Sequence, residues 1–165
     1  MRNVAIIDFE ASCLPEDGDS FPIEVALAKA GGQSRSWLIK PPRQWRYWTW
    51  SREAEALHGI SREMLEREGV PAAQVLRELA AAAKDCDVYT DSDLDAYWLE
   101  TLYTACGASA PFPLRYLGEL FQSLAVPRAD IIQAEKLART NLPRQHIARQ
   151  DARRLALTVD LLTAA

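Results

Sequence analysis

Three groups of side chains in this 165-residue chain have the types and order needed to handle a phosphodiester. Asp8 and Glu10 close the apolar run Val4-Ala5-Ile6-Ile7-Asp8-Phe9-Glu10. If that run is a buried strand, residues two apart share a face, so both carboxylates project from its C-terminal end together. Two acids there are costly unless a cation neutralises them. A pair of divalent ions would do so and would clamp the attacking and leaving oxygens of an in-line displacement. An acidic turn, Asp91-Ser92-Asp93-Leu94-Asp95, offers a third carboxylate, with Asp91, Asp93 and Asp95 equally eligible near a helix start. His146 and Asp151 form the last group. On one continuous helix, five residues turn through about 500°, which leaves them roughly 140° apart. They converge only if the helix begins between them, with His146 on the preceding loop and Asp151 in the first turn. Pro143 upstream fits such a loop. Histidine as a residue type exchanges protons near neutral pH, which suits a general base beside such a cluster.

The elements that must position these groups are legible in the patterning. Strands are expected over 3–9, about 23–30 and 34–39, the last two joined by Gly31-Gly32 in a tight hairpin. Residues 13–21, with Pro15, Gly18 and several acids, read as a surface loop. Ser61 caps a short helix through Leu65 that stops near Gly69, and Pro71 opens another over Ala72–Lys84. Val88-Tyr89 is a short strand, and helices are expected at about 93–106, about 114–125 and 148–163. Strands followed by helices alternating with further strand give an α/β layered domain with a central mixed β-sheet flanked by α-helices. Neither repeat nor linker divides the chain, so a single domain over 1–165 is expected.

Composition narrows the function classes. A 48% hydrophobic and 25% charged chain is that of a globular protein. A net charge of −4 argues against non-specific coating of nucleic acid but not against a nuclease, whose basic groups can cluster locally. Late arginines (Arg128, Arg139, Arg144, Arg149, Arg153, Arg154) are either forked phosphate contacts or a solvated helix face. Met1-Arg2-Asn3, followed by four apolar residues, is too short for a secretory h-region, and no stretch approaches a membrane span. Cys13, Cys86 and Cys106 make no metal-spaced pair, so a reducing, cytoplasmic setting is expected.

Taken in order, these groups resemble the DEDDh family of 3′–5′ exonucleases. The matching segments are Asp8-Phe9-Glu10, Thr90-Asp91-Ser92-Asp93-Leu94-Asp95 and His146-Ile147-Ala148-Arg149-Gln150-Asp151. Leu57-His58-Gly59-Ile60-Ser61 is similar to the family's His-Gly-Ile-Thr segment, and Leu38-Ile39-Lys40-Pro41 to its strand ending. The resemblance implies a ribonuclease H-like fold and selects Asp95 from the acidic turn. It further implies that Asp8, Glu10, Asp95 and Asp151 hold two Mg²⁺ or Mn²⁺ ions and that His146 deprotonates the attacking water. Nucleoside 5′-monophosphates would leave single-stranded 3′ ends. Ala11, Ser12, His58, Gly59 and Ile60 would line the pocket for the terminal nucleotide. Trp48, in the segment Arg43-Gln44-Trp45-Arg46-Tyr47-Trp48-Thr49-Trp50, either stacks on an unpaired base or packs against the domain. Glu24 matches an acid of the family's second strand, either behind the metal ligands or pairing across strands.

The chain departs from the family pattern in three places. Asp91 stands where Asn or His is usual, Leu94 where Phe is usual, and Ser12 where Thr is usual. Asp8-Phe9-Glu10-Ala11-Ser12-Cys13 leans toward the branch that trims RNA 3′ ends. The alternatives are a DNA exonuclease of the proofreading or repair type and a nucleic-acid-binding module without turnover. A stand-alone trimmer, a homodimer and a subunit of a larger partner all fit a chain of this size.

Overall fold

A computed structural model describes residues 3–163. Met1 and Arg2, on which the expected absence of a leader partly rests, lie outside the described residues. The chain opens with β1 (Asn3–Ala11), β2 (Pro22–Lys29) and β3 (Ser34–Lys40). Next come α1 (Arg52–His58), α2 (Arg62–Glu68), the two-residue β4 (Val70–Pro71) and α3 (Ala72–Ala82). The second half runs β5 (Cys86–Thr90), α4 (Asp93–Ala105), β6 (Leu114–Tyr116), α5 (Leu117–Ser123), α6 (Arg128–Asn141) and α7 (Ala148–Thr163).

The strands form one sheet in the order β4-β3-β2-β1-β5-β6. β1, β2 and β3 are antiparallel neighbours, while β5 joins β1 in parallel and β6 joins β5 in parallel. The expected α/β architecture with a mixed sheet flanked by helices is therefore present. Gly31 and Gly32 turn the β2–β3 hairpin with φ of 91° and 104°, the left-handed backbone that glycine adopts without a Cβ clash.

β2 is buried on both faces, which requires a layer on each side of the sheet. On one side Ile7, Phe9, Val25 and Trp37 pack with Val75 and Leu79 of α3 and Leu99 of α4. On the other, Ile6, Ala26 and Ala28 pack with Ala148, Ala152 and Val159 of α7. Alanines on α7 let that helix sit close to the sheet. Asp8 and Glu10 have the parity of Ile6, so they emerge on the α7 side where the apolar layer ends.

Two expectations need correction. Residues 114–125 are not one helix: the first three continue the sheet as β6, and α5 starts only at Leu117. α1 and α6 were not expected at all. α1 buries no side chain and α6 buries only Ala134 and Ala138, so neither carries a strong apolar stripe.

Candidate active site

Each functional side chain is fixed by a local feature of its own element. β1 presents Asp8 and Glu10 at its last turns of pleat, and the register places Glu24 of β2 directly across from Glu10. Glu24 Oε2 accepts a hydrogen bond (3.3 Å) from the backbone N–H of Ala148, the first residue of α7. This carboxylate therefore pins the start of the helix that carries Asp151. Asp151 Oδ2 in turn accepts from the Ile147 N–H (3.3 Å), closing the first turn.

Asp95 stands in the first turn of α4 and is only 2% exposed. Its Oδ1 accepts the Phe9 N–H (3.1 Å), a direct tie between α4 and β1 across 86 residues of sequence. Its Oδ2 accepts the hydroxyl proton of Thr90, whose oxygen also receives the Ser92 N–H (3.0 Å). Ser92 caps α4 through Leu94 N–H (3.2 Å). Asp95 is thus the member of the acidic turn that the fold draws inward, whereas Asp91 and Asp93 are exposed.

His146 lies on the loop before α7, and Asp151 lies in that helix's first turn, as the rotation argument requires. His146 holds a left-handed φ of 57°. A non-glycine residue in that region stores strain that its surroundings must offset, and such residues gather at functional sites.

The structure brings these groups together in two overlapping sets. Single carboxylate oxygens of Asp8, Asp91 and Asp95 lie within 4.8 Å of one another, and so do those of Asp8, Glu10 and Asp151. Asp8 belongs to both. Burial and mutual repulsion raise the proton affinity of Asp8, Glu10 and Asp95. Burial first, then Asp95, Glu10, Asp91 and Glu24, hold the Asp8 carboxyl well above its ordinary value. Burial, with Glu24 and Asp95 behind it, pushes Glu10 up to about 7. Asp95 is likewise raised, chiefly by burial, with the Thr90 and Phe9 hydrogen bonds pulling the other way. Such crowding is relieved by cations, and an all-oxygen donor set suits hard divalent ions such as Mg²⁺ and Mn²⁺. The residues present therefore fit a pair of divalent ions sharing Asp8.

Two cavities meet at this wall, both lined by Asp8, His146 and Asp151. One, of about 260 Å³, runs toward Asp91, Arg139 and Arg154. The other, of about 360 Å³, is more apolar and is bounded by Leu14, Ala54, Leu57, His58 and Trp98. The first sets the carboxylates of Asp8, Asp91, Glu135 and Asp151 against the guanidinium groups of Arg139 and Arg154, so a phosphate would need bound cations to enter it. The second has apolar walls against which a flat ring could pack.

Of the expected nucleotide-pocket residues, Ala11 and His58 line the apolar cavity. His58 Nδ1 accepts the Ile60 N–H (3.0 Å), while Nε2 is buried and makes no hydrogen bond of proper geometry. Burial lowers the His58 imidazole below its ordinary value, opposed by the Ala11 backbone and Glu55. Gly59 ends α1 in a left-handed turn, φ 74°, and Ile60 sits in the core. Ser12 is fully buried; its hydroxyl accepts the Phe21 N–H (3.2 Å) and holds the loop after β1. Trp48 lies in an aromatic cluster, with ring centroids 6.0 Å from Trp45 and 6.4 Å from Phe21. Arg62 covers that cluster, 5.0 Å from Trp50, and donates to the Trp48 carbonyl (2.7 Å). Trp48 borders neither cavity; of the two roles open to it, packing against the domain is where the structure places it.

Several site residues escape a reading of the sequence. Trp98, whose Nε1 donates to Ser20 (2.9 Å), is an ordinary apolar member of the α4 stripe, and Leu57 a lone apolar residue, until the fold aims them at the cavity. Arg154 is one arginine among six late ones. Its signal is the three-residue spacing from Asp151, with which it forms an ion pair.

Neither a protein-family model nor a curated protein matches the sequence. Solved structures do match its fold. A full-length 3′-exonuclease aligns at 19% identity and a TM-score of 0.69, over 96% of this chain and 59% of that one. Escherichia coli exonuclease I in complex with a dA16 oligonucleotide aligns at 12% identity and 0.74, over 99% of this chain and 41% of its own. Exonuclease I from Methylocaldum szegediense gives 14% and 0.65, over 99% and 41%. This chain thus spans between two fifths and three fifths of those proteins. At these identities the likeness establishes the fold, and the fold is the expected ribonuclease H-like one.

Proposed function

We propose that the chain is a metal-dependent 3′–5′ exonuclease domain that hydrolyses single-stranded nucleic acid ends to nucleoside 5′-monophosphates. The observation that carries this reading is the pair of carboxylate sets that share Asp8 at the end of β1. The likeness in fold to exonucleases points the same way.

Asp8, Glu10, Asp95 and Asp151 would hold two Mg²⁺ or Mn²⁺ ions, with Asp91 at the edge of the first set. Bound there, the ions would supply charge stabilisation to the attacking and leaving oxygens of the phosphodiester. The chain's own side chains do the rest. A ring nitrogen of His146, on the loop between the two cavities, takes a proton from the attacking water. Arg139 lines the charged cavity and offers its fork to a phosphate oxygen. Leu57, Ala54 and Trp98 bound the apolar cavity, where the terminal base would lie. Ser12, Gly59 and Ile60 support that pocket through the loop and turn they hold. Trp48 would act on substrate only through the cluster that it joins.

The lean toward RNA rests on Asp8-Phe9-Glu10-Ala11-Ser12-Cys13 alone, while the Escherichia coli neighbour's complex holds DNA. A homodimer or a larger partner is compatible with a chain that spans part of its neighbours. Three free cysteines suit a reducing, cytoplasmic setting, and no helix among the described residues is long and apolar enough to cross a membrane.

The test is a time course on 5′-labelled single-stranded RNA and DNA of one sequence with Mg²⁺, Mn²⁺ or EDTA. A metal-dependent ladder shortening from the 3′ end supports the reading, and the faster substrate identifies the sugar. Binding without a ladder under either metal would favour the module without turnover.

A further inference from the structure

Arg154 is the least expected group at this site. It sits one helical turn beyond Asp151 on α7, so the two side chains share a face. Its side chain is 14% exposed, and its Nη2 pairs with Asp151 Oδ1. Through Nη1 it donates to the carbonyls of Leu142 (3.3 Å) and Arg144 (3.1 Å). Those two carbonyls belong to the loop that leads to His146, whose backbone is held in the left-handed region. The same guanidinium lines the cavity beside Asp8 and Asp91. Its neighbours on the helix point elsewhere: Arg149 donates to the Ser34 hydroxyl and carbonyl (3.0 Å each) on the β3 side.

We propose that Arg154 is a positioning residue: one guanidinium ties the His146 loop to the ligand Asp151 and sets the positive charge against which divalent ions bind. The inference rests on the nuclease reading of the site. A planar fork is needed, because one terminal nitrogen reaches two carbonyls while the other engages a carboxylate. The charge has a second consequence. A cation beside Asp151 and near Asp8 opposes ions entering the same carboxylates, and it offsets part of the negative charge that Asp91 adds. Arg154 therefore weakens ion binding while it keeps His146 aimed at the ions' edge.

Two substitutions separate the fork from the charge. Arg154→Ala removes both; Arg154→Lys keeps the charge near Asp151 and loses the two-carbonyl fork. Three quantities are read on the folded chain. These are Mn²⁺ affinity by calorimetry, kcat and KM on a 5′-labelled single strand, and amide hydrogen exchange over 142–147. In Arg154→Ala, kcat falls at least tenfold, KM stays within threefold, Mn²⁺ binds at least threefold tighter and exchange over 142–147 rises. In Arg154→Lys, Mn²⁺ affinity stays within twofold of wild type, yet kcat remains low and exchange remains raised. Arg154→Lys with wild-type kcat would overturn the fork, and so would unchanged exchange in Arg154→Ala. Should Arg154→Ala fail to fold, the lysine variant alone decides the fork. Unchanged or weaker Mn²⁺ binding in folded Arg154→Ala would overturn the charge effect. If the wild-type chain itself neither binds Mn²⁺ nor shortens the strand, the nuclease reading fails, while hydrogen exchange still decides the tether.

Discussion

Replacing Glu10 with Gln should make the metal-free protein more stable while it disables the site. Glu10 faces Glu24 across the β1–β2 pair, and burial, Glu24 and Asp95 together raise its carboxyl from 4.5 to about 7. A rise of that size corresponds to roughly 3 kcal/mol between the protonated and ionised forms. The folded value exceeds the unfolded one. The associated stability is therefore complete below about pH 4.5 and is lost as the pH climbs through about 7. At pH 8 in EDTA the wild-type chain carries that cost in full, and the amide of Gln does not. The variant should then gain up to roughly 3 kcal/mol, or about 6–12 °C in Tm for a domain of this size. At pH 4 the two proteins should melt together. Saturating Mg²⁺ should narrow the gap, because an ion at a hundred times Kd stabilises the wild type by about 2.7 kcal/mol and the variant by less. The assay is thermal unfolding followed by circular dichroism at both pH values, with EDTA and with Mg²⁺. A Glu10→Gln protein that melts at or below wild type at pH 8 in EDTA would refute the argument that crowded carboxylates cost stability here.

Three further outcomes follow from the same geometry. His146→Ala should lower kcat by about 10²–10⁴ with KM little changed, as steady-state kinetics on a labelled strand will show, because in the proposed reaction the imidazole would move a proton rather than hold substrate. Leu57, 62% exposed at the rim of the apolar cavity, should when replaced by Ala raise KM several-fold and leave Tm within about 2 °C. Gly69→Ala should destabilise by more than about 2 kcal/mol in a denaturant titration. Its Cβ would fall 2.2 Å from the Leu65 carbonyl oxygen and 2.7 Å from the Lys40 nitrogen, both backbone atoms that cannot swing away.

The first three strands and the helices α3 and α7 were legible because their patterning is strong. Ile6-Ile7 with Asp8 and Glu10, the Gly31-Gly32 turn and the α7 stripe each have one reading. The need for a helix start between His146 and Asp151 was also legible, since rotation alone demands it. α6 was not, because the residues it buries fully are Ala134 and Ala138, small side chains that leave little mark on a hydropathy pattern, with Ile131 only partly covered beside them. β6 is three residues long, and its apolar content merges with α5. Patterning alone left Asp91, Asp93 and Asp95 equal and only the family resemblance chose Asp95; the physical reason, the Phe9 N–H that its carboxylate receives, comes from 86 residues away. Trp48 was equivocal for the opposite reason. Arg and Trp interleaved look alike whether they meet a base or Phe21, and only packing separates the two. Glu24 shows the gain from structure most clearly, as the strand-pair acid also anchors the first residue of α7.

The central claim is that Asp8 serves two divalent ions at once. Titration of the metal-free chain with Mn²⁺ by calorimetry tests it most directly, with Asp8→Ala as the companion protein. Two ions per wild-type chain, and loss of both sites in Asp8→Ala, is the predicted result. A single ion, or two that persist without Asp8, would contradict the shared-ligand centre.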